Sequence, residues 1–238
     1  MRIKGLQKLT LIDYPGKIAC TIFLQGCNFK CGFCHNPELV LESFIDKNKE
    51  IDSEEILEFL KKRKKYLEAV CITGGEPLIS LDIDFLNKIK DLGYLIKIDT
   101  NGCFPERLQE IINLGLVDFV SMDIKSSKEN YPRLTGVLNP DFEKIEKSIK
   151  IISKLPEHEF RTTILEEFHS RKDIGDLIDW ISKIVEKGKI QKFVFQGFKN
   201  NGKFIDSRFS KYTNTSEKYL LDLKELTNHL INKVEVRV

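Results

Sequence analysis

The chain lacks most of what would tie it to a membrane, a secreted scaffold or a nucleic acid. No apolar stretch reaches the roughly 20 residues that a bilayer-spanning helix needs, and no secretory signal opens the sequence. Net charge is only +2 over 238 residues. The basic run Lys61-Lys62-Arg63-Lys64-Lys65 follows a helical pattern and reads as a solvated helix face. The aromatic-and-basic interleaving of a single-strand binding groove is missing, so no nucleic-acid partner is expected. Internal repeats and low-complexity runs are absent. Neither a paired-carboxylate nor a Ser–His–Asp constellation stands out. A disulfide framework is also disfavoured: the chain is long, and three of its six cysteines crowd into one loop. Reduced thiols in a cytoplasm fit better.

What is present suits one large globular domain over residues 1–238, with 41% apolar and 31% charged residues. Strand-like and helix-like segments alternate. Strands are expected at Lys17–Leu24, Ala69–Thr73, Tyr94–Asp99, Val117–Ile124, Glu159–Ile164 and Lys192–Gln196, with a further edge strand at Val234–Val238. Helices are expected from Asp52 and Ser53 to about Tyr66, then near Ile83–Leu92, from Pro105, over Asp141–Lys154, around Asp173–Glu186 and over Ser216–Ile231. A polar loop near Lys199–Thr213 precedes the last of these. Six strand–helix units imply a parallel α/β sheet, either open and doubly wound or a partial (β/α)6 TIM-type barrel.

The unusual residues fall where such a sheet keeps its sites, at the carboxyl ends of the strands. The loop Cys27-Asn28-Phe29-Lys30-Cys31-Gly32-Phe33-Cys34 follows the first strand and Thr73-Gly74-Gly75-Glu76-Pro77 the second. Asp99-Thr100-Asn101-Gly102 ends the third and Met122-Asp123-Ile124-Lys125 the fourth; Arg161 lies in the fifth and Gln196 closes the sixth. Gly74-Gly75 taken alone is equally an ordinary tight turn, and Asp99 and Asp123 could be exposed turn residues. Cys20 and Cys71 lie in apolar strands and read as structural, as does Cys103 after its turn. Three thiolates are one short of a closed tetrahedral site. A four-iron cluster on three cysteines leaves one iron open to bind something else.

The C-x3-C-x2-C spacing with Phe33 before the last cysteine resembles the signature of radical S-adenosylmethionine (SAM) enzymes, and Gly74-Gly75-Glu76-Pro77 resembles their methionine-binding segment. Cys34-His35-Asn36-Pro37 and Asp13-Tyr14-Pro15-Gly16 are similar to glycyl-radical enzyme activases. Leu9–Gly16 and Phe160-Arg161-Thr162-Thr163 look most like the activating protein of anaerobic ribonucleoside-triphosphate reductase.

The resemblance implies a partial barrel and a [4Fe–4S] cluster on Cys27, Cys31 and Cys34, with SAM chelating the open iron. It implies that Gly74, Gly75 and Glu76 hold the methionine ammonium and that Phe33 and His35 lie near the adenosine. Asp123 and Lys125 match a SAM-contacting Asp-x-Lys segment, and Arg161 and Gln196 are carried over as further SAM contacts. Asp99, Thr100 and Asp123 match a monovalent-cation site. An electron from the reduced cluster would cleave SAM, and the resulting 5′-deoxyadenosyl radical would take hydrogen from a glycine of a partner enzyme. A flavodoxin or ferredoxin would supply the electron. Three other readings stay open: activation of a different glycyl-radical enzyme, a radical enzyme acting on a small molecule, as in deazaguanine formation, and a zinc-stabilised binding module using Cys27, Cys31, Cys34 and His35.

Overall fold

A computed structural model describes residues 1–41, 43, 50–200 and 203–238; residues 201 and 202 of the expected polar loop lie outside the described residues. The chain packs as two compact units. The first comprises residues 1–28, 36–100 and 106–120, the second residues 29–35, 101–105 and 121–238.

The first unit is built on β1 (Ile3–Thr10), β2 (Ala19–Leu24), β3 (Ala69–Gly74) and β4 (Leu95–Thr100), which pair in chain order. β1 is antiparallel to β2, and β2, β3 and β4 are parallel. β1 was not among the expected strands. Its residues Gln7-Lys8-Leu9 are exposed and two register shifts break its pairing, so it carries no clean alternation. α1 (Ser53–Arg63), α2 (Ile83–Asp91) and α3 (Pro105–Asn113) supply the covering layer. Asp52 and Asp82 cap α1 and α2 by accepting from Glu54 and Phe85 amides. Ile56, Leu60, Leu86, Ile89, Leu108 and Ile111 are fully buried, as are Ile22, Ile72, Ile96 and Ile98 of the strands.

The alternate strand positions are less apolar. Thr21, Cys71 and Lys97 lie side by side across β2, β3 and β4 and are almost fully buried. Asp13 accepts from Thr21 Oγ1 at 2.5 Å, and the Tyr14 ring packs 5.7 Å from Phe119.

β5 (Phe119–Asp123) runs from the first unit into the second. In the second unit β6 (His158–Ile164), β7 (Ile190–Gly197) and β8 (Ile231–Arg237) pair in parallel and in chain order. The expected tail strand therefore exists and starts three residues earlier. α4 (Tyr131–Thr135), α5 (Phe142–Ile152), α6 (Arg171–Ser182) and α7 (Glu217–Thr227) complete the unit. A reciprocal Ser170–Asp173 capping box starts α6. Ile145, Ile149, Ile174, Leu177, Ile181, Leu220 and Leu223 are buried with Phe160, Phe193 and Phe195.

One face of these strands is again charged. Glu159 on β6 is completely buried, accepts from Ser121 Oγ at 2.9 Å, and meets Lys192 at 2.7 Å and Arg237 at 2.9 Å. Those two cations hold its carboxyl down at about 2 against its burial. Among the described residues no helix is long and apolar enough to cross a membrane.

Candidate active site

In the first unit the Gly74-Gly75-Glu76 turn is stitched to the residues directly ahead of Cys27. Gly75 N donates to Leu24 O at 2.9 Å and Glu76 N to Gly26 O at 2.7 Å. A Cβ on Gly75 would lie 2.0 Å from Gly26 O and 3.2 Å from Cys27 Cβ. Gly74 has φ +129°, and a Cβ there would lie 2.2 Å from Leu24 O. Both glycines are required by backbone approach alone, a role compatible with either reading of the turn.

Glu76 is 1% exposed. Its Oε1 accepts from Thr100 Oγ1 at 2.8 Å and from Leu78 N at 3.2 Å, capping the short helix Pro77–Ile79. Thr100 thus orients Glu76. Asp99 is ion-paired with the buried Lys97.

In the second unit Cys31 and Cys34 share one turn, with Cys34 N donating to Cys31 O at 3.0 Å. Cys31 is buried, and burial pushes its thiol up to about 11 although the Lys125 ammonium pulls it down. A bound metal would take the thiolate in place of the proton. Neither unit by itself gathers three His, Cys, Asp or Glu side chains within reach of one ion among the described residues, and Cys27 belongs to the first unit while Cys31 and Cys34 belong to the second.

Asp123 is gripped by Arg161 through two bonds of 3.0 Å, and Lys125 Nζ stands 3.7 Å from the same carboxylate. The backbone between them is pinned as well. Ile124 N donates to Arg161 O at 2.9 Å, and Thr162 Oγ1 donates to Ile124 O at 2.6 Å.

His169, which the sequence did not single out, completes this clasp. It is fully buried, with Nε2 2.8 Å from Lys125 O and Nδ1 3.1 Å from Leu165 N. The bonding assigns the neutral tautomer with the proton on Nε2. Burial lowers its pKa, in keeping with that state. No sequence signal marks it, since a lone histidine ahead of a helix cap has no distinctive spacing.

Phe33 is buried 6.0 Å from Phe209, and His35 stacks on Phe198 at 5.7 Å with its Nε2 2.9 Å from Lys199 O. Gln196 stands on β7 opposite Thr163 of β6 and Arg237 of β8. Cys103 N donates to Asn101 Oδ1 at 3.0 Å in the turn after β4. Cys20 and Cys71 are buried thiols, Cys20 pushed up to about 12 and Cys71 higher still, in agreement with a packing role.

The residues present fit a cluster and SAM at two points: the side-chain-free approach around Gly74 and Gly75, and a buried thiol at Cys31 beside a lysine. They fit a monovalent cation poorly. Lys97 already balances Asp99, and Arg161 and Lys125 already balance Asp123.

Comparison with known proteins gives this geometry its context. Residues 21–195 match the Radical SAM superfamily. A Methanocaldococcus jannaschii protein assigned as a glycyl-radical enzyme activating enzyme is 32% identical over 244 residues, covering 99% of this chain and 95% of that one. The pyruvate formate-lyase-activating enzyme of Clostridium pasteurianum is 33% identical over 158 residues, 63% of this chain and 64% of the relative.

Among solved structures, Streptococcus suis SuiB bound to precursor peptide SuiA superposes with a TM-score of 0.64 at 19% identity, covering 92% of this chain and 48% of that one. QueE from Escherichia coli superposes at 0.51 with 20% identity, covering 82% and 83%. These likenesses establish the fold as the partial TIM-type barrel of radical SAM proteins. The chain belongs to the radical SAM superfamily and, within it, to the glycyl-radical enzyme activating enzymes, which work with a [4Fe–4S] cluster and SAM.

Proposed function

We propose that this enzyme installs the glycyl radical of an anaerobic ribonucleoside-triphosphate reductase. The observation that carries the reading is the end-to-end match, 99% of this chain and 95% of the relative, to an activating enzyme. The choice of reductase rests on the resemblance of Leu9–Gly16 and Phe160–Thr163 to that reductase's activating protein. Residues 1–238 are read as a single radical SAM domain, at work in the cytoplasm with a flavodoxin or ferredoxin as donor.

Cys27, Cys31 and Cys34 would hold the cluster. When bound, the cluster and SAM supply one-electron cleavage to a carbon radical that removes a hydrogen atom from the partner's glycine. The chain's own residues bind and orient. Gly74 and Gly75 would expose backbone to the methionine end, and Glu76, aimed by Thr100, would accept from its ammonium. Arg161 fixes Asp123, and His169 fixes the Lys125 backbone, so the Asp123–Lys125 segment meets SAM already ordered. Phe33, His35 and Gln196 would lie near the adenosine. A monovalent cation at Asp99, Thr100 and Asp123 would have to compete with Lys97 and Arg161.

The test is electron paramagnetic resonance of anaerobic mixtures of reduced protein, SAM and a candidate reductase. A glycyl doublet that needs all three supports the proposal. Turnover of a small molecule with no glycyl signal from any partner would transfer the chemistry to the small-molecule reading. One zinc and no iron in anaerobically purified protein would remove the cluster altogether.

A further inference from the structure

The polar segment after β7 carries two buried phenylalanines, Phe204 and Phe209. Phe209 is 6% exposed and lies against the cysteine loop. A Cβ on Gly32, between Cys31 and Cys34, would fall 2.4 Å from Phe209 Cε2. A side chain at position 32 would therefore have to displace that ring. Asp206 N donates to Gly32 O at 3.1 Å, and the Asp206 carboxylate caps the short helix Ser207–Lys211 that carries Phe209. Behind Phe209, Phe168 stacks at 5.2 Å and 21°, and the Arg133 guanidinium covers Phe168 at 4.3 Å. The loop's other anchors lie in the same unit: Lys30 N donates to Thr135 O at 2.8 Å, and His35 is held by Phe198 and Lys199.

We infer that Phe209 and the Asp206 amide act as positioning groups for the cluster: they lock Cys31-Gly32-Phe33-Cys34 in one shape and close that side of the site to water. The inference rests on the activase reading only in that Cys31 and Cys34 carry a cluster. An apolar, hydrogen-bonded surround governs solvent access, metal retention and reduction potential. A ring in van der Waals contact with the residue between two ligands is placed to exert all three.

The experiment follows iron in reconstituted protein under anaerobic conditions. Phe209→Ala is expected to speed iron release to a chelator by about 10-fold, the lower end for loss of an outer-shell partner. It is also expected to move the cluster's midpoint potential to a more positive value, because admitted water stabilises the more negative reduced state. Gly32→Ala should produce the same release by pushing the ring away. The double variant Gly32→Ala/Phe209→Ala should fall back toward wild type, since the added methyl occupies space that the ring vacates. Phe209→Leu, which keeps an apolar cover, should stay close to wild type, and with Gly32→Ala it decides the matter if Phe209→Ala fails to fold. Unchanged iron release and potential in both single variants would overturn the inference. Wild-type protein that takes up no iron would instead overturn the reading beneath it.

Discussion

The charged floor of the second unit offers a quantitative test. Glu159 is wholly inaccessible, yet it is ionised because Lys192, Arg237 and Ser121 surround it. Holding a carboxyl at about 2 rather than 4.5 is worth roughly 3 kcal/mol at neutral pH. Glu159→Gln keeps the shape and removes the charge, while the contacts of Lys192 and Arg237 with Glu235, at 3.1 and 2.8 Å, remain. Breaking a buried pair costs about 3–5 kcal/mol, and the surviving Glu235 contacts reduce this to about 2–3 kcal/mol. For a chain of this length that corresponds to a fall in melting temperature of about 4–12 °C.

The assay is thermal unfolding of the reduced apoprotein across pH. The sign follows from the lowered pKa: the stabilisation is complete above the ordinary carboxylate range and is lost as pH falls from about 4.5 toward 2. Wild type and variant should differ most at pH 7 and converge in acid. Coincident melting at pH 7 would refute the account, and so would a gap that widens in acid.

Three further outcomes test the site itself. Cys31→Ala should lose cluster assembly and SAM cleavage together, read as iron content and 5′-deoxyadenosine; native-rate cleavage would sink the ligand assignment. Gly75→Ala places a methyl 2.0 Å from Gly26 O, so the Glu76–Gly26 bond must open. SAM binding measured by equilibrium dialysis should weaken by about 10-fold, the worth of one or two hydrogen bonds, while the iron content stays. His169→Ala leaves the Lys125 carbonyl and the Leu165 amide without their buried partner, a cost of about 1–3 kcal/mol each. Urea unfolding should register that loss, and His169→Gln should recover part of it.

Legibility in the sequence followed the range of the physics. β2 to β4 and β5 to β7 were readable because each is a short apolar-rich segment bounded by turn residues, and the helices because their apolar stripes and caps are local. β1 escaped because its partner, not its own pattern, makes it a strand. The cysteine spacing and the Gly-Gly-Glu turn were readable as chemistry, since ligand count and glycine content are properties of a short segment. His169, Phe209 and the Glu159 network were not readable. Each draws its role from partners about 30 to 180 residues away along the chain, and no local pattern encodes such a pairing.

The sequence by itself determined that this protein presents three thiolates where a closed site needs four, and a Gly-Gly-Glu-Pro segment after the second expected strand. Tertiary structure alone decided what holds those groups still: Thr100 on Glu76, Arg161 on Asp123, His169 on the Lys125 carbonyl and Phe209 on Gly32. The reason is physical. Ligand identity is covalent and travels with the segment, whereas orientation depends on packing and hydrogen bonds between segments that meet only when the chain has folded.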